Sequence, residues 1–174
     1  MSIVIPHCKV IRSGQEYQTS GIKKGSLEEL EIPFFQEDLR EINQAYDEYC
    51  RETTQLTYMH LVCNVMNSMM DHIDAFTPFF DDKTRLGRTT PSKVKTTVGW
   101  CYVICTSREE AALCPDKFCI MLSTKEIISK AFFDENANGV CINPYGDHPC
   151  LIPREYLLLL IKEMQDPVKK ENNA

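Results

Sequence analysis

From Val98 onward the chain alternates short apolar runs with helix-patterned stretches, and this alternation limits the available folds more than any other feature. VGWCYVICTS reads as a buried strand. SREEAALCP reads as a short helix with Ser107 at its N-cap and Glu110 three residues on, the spacing of a capping box. CIML is a second strand, after which Ser123 or Thr124 caps the helix TKEIISKAFFDE, whose Ile127, Ile128, Ala131 and Phe132 share one face. VCIN, behind Gly139, is a third strand, and the Pro-Tyr-Gly-Asp run turns the chain. A closing helix begins near Pro153, a residue suited to a first turn, and buries Tyr156, Leu157, Leu160, Ile161 and Met164. This pattern predicts a single α/β (α+β) domain, a mixed β-sheet packed by several α-helices.

The upstream half is less regular. In SLEELEIPFFQEDLREINQAYDEYCRET, the apolar residues Phe35, Leu39, Ile42, Tyr46 and Tyr49 recur in steps of four and three, which predicts an amphipathic helix. LTYMHLVCNVM mixes β-branched and aromatic residues in the manner of a strand. MNSMMDHIDAFTPFFDD fits a short helix or a loop, with Met66, Met69, Met70 and Ile73 at helical spacing. KTRLGRTTPSKVK, residues 83–95, is broken by Gly87 and Pro91 and reads as a loop. Residues 1–30 read as an N-terminal arm or added strand, 31–166 as the domain, and 167–174 as a polar tail.

Composition narrows the class. With 174 residues, 43% hydrophobic, the chain is long enough for a real core. Its 25 acidic and 19 basic residues leave a formal charge of −6, which argues against nucleic acid and acidic membrane surfaces as general partners. That charge is uneven: residues 28–52 hold nine acidic and two basic side chains, whereas 83–95 hold five basic and no acidic ones. Oppositely charged surfaces of this kind steer protein contacts. No apolar run approaches the roughly 20 residues of a membrane span, and MSIVIPHCKV lacks the pattern of an export signal, so a cytoplasmic setting is expected. Nine cysteines, an odd number, fit reduced thiols used mostly as core filling.

Several chemistries can be weighed directly. The cysteines form no CxxC pair, so no zinc site is expected. DENANG, from Asp134 to Gly139, matches the first half of a calcium loop, but its twelfth position is Tyr145 rather than a bidentate glutamate. The bland reading of that run is a helix terminus with Asn138 or Gly139 in the left-handed region. The seven glycines form no phosphate-cradling loop, and no cofactor is expected. Cys105, before a helix start, and Cys150, close to His148, are the two candidates for an activated nucleophile.

GWCYVICTSREEA followed by GVCINPYGDHPCLIPREYLLLL resembles the N-terminal domain of the SseB (enhanced serine sensitivity) family. The resemblance rests on Gly99, Trp100, Tyr102, Thr106, Ser107, Glu109 and Glu110, then Gly139, Asn143 and Pro144, and spans about residues 35–165. Cys105 departs from it, standing where phenylalanine is common, as do the long basic stretch and the first 30 residues. The resemblance implies a cytoplasmic, mainly bacterial α/β domain with no catalytic residues to carry over. Trp100, Asn143 and Pro144 are its candidate binding positions, readable physically as an aromatic anchor at a strand start and a turn after a strand. The expected function is that of a non-catalytic protein-interaction module with a protein partner and without nucleic acid or membrane; the alternative is a thiol-dependent enzyme using Cys105 or Cys150.

Overall fold

Helix α1 (Arg40–Arg51) buries Leu39, Ile42, Ala45, Tyr46 and Tyr49 along one stripe, as the spacing predicts. The computed structural model describes residues 4–6, 9–10, 39–81, 89–115 and 119–165; Phe35 and the tail after 165 lie outside them. A three-residue turn leads into α2 (Gln55–Met70), where a strand was expected over LTYMHLVCNVM. The local residue types favour a strand, but packing decides: Tyr58, Leu61, Val62, Val65 and Met66 are all buried at helical spacing. Thr54 and Thr57 fix the start through a reciprocal capping box, each hydroxyl accepting the other's backbone N–H at 3.2 and 3.0 Å. His60 Nδ1 meets Glu48 Oε2 at 2.8 Å, tying the two helices together.

Strand β1 (Asp74–Asp81) occupies the stretch that fitted helix or loop. It is the middle of a three-stranded antiparallel sheet, between β2 (Thr89–Pro91) and β5 (Cys119–Ser123). Pro78 is tolerated there because pairing with β5 ends at Pro78 and pairing with β2 begins at Phe79, so its missing N–H falls between the two ladders.

The basic stretch is likewise not all loop. It supplies β2 and most of β3 (Lys93–Thr96), with residues 82–88 outside the described set. In β3 Val94 turns inward and Lys95 outward, the alternation of a half-buried edge strand with lysine guarding its outer face. A second sheet follows in the order β3, β4 (Gly99–Ile104), β6 (Gly139–Ile142) and β7 (Cys150–Pro153). β4 and β6 are parallel, and the other neighbours are antiparallel. β7 lies between the expected Pro-Tyr-Gly-Asp turn and the closing helix, where no strand was expected, a four-residue element too short to announce itself beside Pro149 and Pro153. A bridge between Phe76 and Cys105 joins the two sheets, and another between Val10 and Thr96 lays Lys9 and Val10 along β3.

Between β4 and β6 run α3 (Arg108–Ala112), β5 and α4 (Thr124–Phe133); α5 (Arg154–Gln165) closes the described chain. Ser107 caps α3 by accepting the Glu110 N–H at 3.1 Å, the Ser107 half of the predicted capping box. Neither Ser123 nor Thr124 caps α4 through its side chain: the Thr124 hydroxyl donates to the Ile73 carbonyl instead, where it is fully buried. Gly139 has φ +146, and a Cβ there would run into the Ile152 carbonyl, so glycine is required where β6 meets β7. Among the described residues, five helices and two sheets thus share one hydrophobic core, a single α+β fold.

Candidate functional site

The carboxyl ends of parallel strands are where α/β sheets usually place their sites. At that end of β4 and β6, Asn143 is wholly buried with φ +47. Its side-chain oxygen accepts the Thr106 N–H and its amide donates to the Thr106 hydroxyl, both at 2.9 Å, while its own N–H reaches the Ile104 carbonyl. Asn143 therefore staples the two strand ends and starts the turn, with Pro144 buried behind it. Both candidate positions are buried and shape this turn.

Beside this staple, α1, α3 and the β6–β7 loop converge on Glu110. One of its oxygens, Oε2, is buried without a hydrogen-bond partner, and the carboxyl presses on Gly146 so closely that a Cβ there would lie 2.8 Å from it. Across the gap the Tyr46 hydroxyl donates to the His148 carbonyl at 3.1 Å. Burial raises the Glu110 carboxyl above its ordinary range, and Asp147 and Glu109 push it further the same way. Burial also raises the Tyr46 phenol and the Cys50 thiol, and Glu110 adds to both. Burial and neighbouring negative charge thus both disfavour ionisation of Glu110. Sequence reasoning read Glu110 only as a capping residue and Tyr46 only as core; nothing in the local sequence announces their meeting.

Trp100 lies at the opposite end of β4. The register pairs it with Lys95, and the lysine ammonium sits 6.0 Å from the ring centroid. Trp100, the aromatic expected at a strand start, is 47% exposed, because it shares the outward face with Lys95 while Cys101 turns into the core. Val98 is exposed at the hairpin tip, and Thr97 exchanges hydrogen bonds with the backbone of Lys9. Further along the same face, Lys93 and the Tyr102 hydroxyl both donate to Asp134, at 2.7 and 3.0 Å. Lys93 holds that carboxyl below its usual range, and burial pushes the Tyr102 phenol up to about 12.

The remaining candidates can now be placed. Asp134, the first residue of DENANG, is committed to protein donors, including the Asn136 N–H at 2.9 Å. Gly139 rather than Asn138 takes the positive φ of that run. Among the described residues no group of three or more His, Cys, Asp or Glu is disposed to hold a metal ion. Cys105 and Cys150 are each 0% exposed, Cys105 in the bridge just after β4 and Cys150 at the start of β7, and His148 is at the surface. The eight described cysteines are free thiols. No described helix is long and apolar enough to cross a membrane.

No protein-family model, no curated protein and no solved structure matches the chain.

Proposed function

We propose that the chain is a non-catalytic protein-interaction module, SseB-like in kind, whose contact surface is the β3–β4 hairpin centred on Trp100. The reading rests on one observation above all. The single tryptophan is held half-exposed on a rigid strand, with a lysine against its ring. Tryptophan is the residue type most enriched at binding hot spots, and leaving it exposed has a cost in water that a partner would remove. The partner is an acidic protein surface. Lys95 is exposed against the ring and Lys9 is exposed beside Thr97 at the hairpin turn, and neither has an acidic partner among the described residues. The resemblance to the SseB family supports the same class of role, in a bacterial cytoplasm and without nucleic acid or membrane. The thiol-dependent alternative is less favoured, since Cys105 and Cys150 are enclosed where a substrate would have no access.

Capture from native lysate at low salt, with the wild-type chain and with Trp100→Ala and Lys95→Glu, tests this. A protein retained by the wild type and lost from both variants supports it; truncating a hot-spot tryptophan should weaken binding by about 2 kcal/mol, roughly thirtyfold. Equal retention by all three chains, or no retained protein at any salt, contradicts it.

A further inference from the structure

The junction around Glu110 lies apart from the Trp100 hairpin, and the proposed function does not use it. Three elements meet there without a covalent link: α1 contributes Tyr46 and Cys50, α3 contributes Glu110, and the β6–β7 loop contributes Gly146, Asp147 and the His148 carbonyl. The loop is held at its start by the Asn143 staple and at its far end by β7; between them the Gly146 N–H reaches the Asn143 carbonyl at 3.3 Å, Tyr145 packs on the core, and the Tyr46 and Glu110 contacts tie the stretch to α1 and α3. Glu110 Oε2 has lost water without gaining a protein donor. An ionised carboxylate so placed is costly, and a neutral carboxylic acid much less so. The charges that act on it, Asp147 from the loop and Glu109 from its own helix, are negative. From α1, Tyr46 and Cys50 face it as neutral groups, with Asp47 next to Cys50; His148 sits exposed on the loop beside Asp147.

We propose that Glu110 is a proton-operated latch: neutral, it lets the β6–β7 loop close against α1 and α3, and ionised, it repels Asp147 and loosens the loop. The sign follows from linkage. A carboxyl that binds its proton more tightly in the folded state stabilises the closed form fully below its ordinary value of 4.5, and that stability is lost as pH rises through the folded value. The latch is therefore closed in acid and loosened toward neutrality, the reverse of a carboxylate held by an ion pair.

Two measurements on the full chain test it. In the wild type, the side-chain carboxyl carbon of Glu110 is followed by NMR against pH. Hydrogen exchange at residues 145–148, corrected for intrinsic rates, is compared between wild type and Glu110→Gln. The latch predicts a carboxyl titrating above 4.5, and loop protection that falls with rising pH in the wild type but stays level in the variant. Each pH unit by which the closed carboxyl exceeds the open one corresponds to roughly tenfold in the opening equilibrium. A carboxyl titrating at or below 4.5, or parallel protection profiles in the two chains, would overturn the proposal. The NMR titration decides it even if the glutamine variant fails to fold.

Discussion

At the scale of single residues, the most consequential side chain is one whose polar atoms are all occupied. Asn143 combines a backbone in the left-handed region, which asparagine tolerates better than most residues, with two side-chain hydrogen bonds to Thr106 in a water-free setting. Asn143→Ala would strand the buried Thr106 N–H and add backbone strain. The expected destabilisation is about 3 kcal/mol in urea unfolding, of which Asn143→Gly should recover about 1 kcal/mol because only the strain is relieved. Equal losses for the two variants would show that strain plays no part. The sequence marks this position as a turn after a strand, and that much is legible because asparagine followed by proline is a local signal. The Thr106 contact is not legible, since it joins residues 37 positions apart. Nor is the outward turn of Trp100, which follows from its register with Lys95 rather than from its own neighbours.

At the scale of elements, the second half of the chain could be read because each piece carries its own punctuation: Ser107 before α3, Gly139 before β6, Pro153 before α5. The first half misleads where local propensity and tertiary packing disagree. In α2, valine, threonine and tyrosine favour a strand, yet the stripe from Tyr58 to Met66 and the Thr54–Thr57 pair both mark a helix. Reading the stripe in place of the residue types would have found it. If the capping box is what offsets the poor propensity, Thr54→Ala should cost about 1 kcal/mol and fray the first turn, seen as faster exchange of the Thr57 and Tyr58 amides. Unchanged exchange there would assign the helix to packing alone. β1 was hidden for another reason: its proline is acceptable only because two different partners take over on either side of it, which no single-strand pattern reveals.

At the scale of the whole molecule, the thiols are mostly enclosed in the core, while the single tryptophan stands half-exposed at the surface. Five described cysteines are buried, and Cys63 is the exposed one. Alkylation of the native chain, followed by peptide mapping, should therefore modify Cys63 first and leave Cys101, Cys105, Cys141 and Cys150 intact until denaturant is added. Rapid native labelling of Cys105 or Cys150 would bring back the thiol-dependent reading. The central claim concerns Trp100, and because it is the only tryptophan, its fluorescence reports on that site alone. The direct measurement is quenching by iodide and by caesium, in the free chain and with the captured partner present. Iodide, drawn by Lys95, should quench the free chain more strongly than caesium, and the partner should shield the ring from both. A ring equally inaccessible to both ions in the free chain, or one whose quenching the partner leaves unchanged, would contradict it.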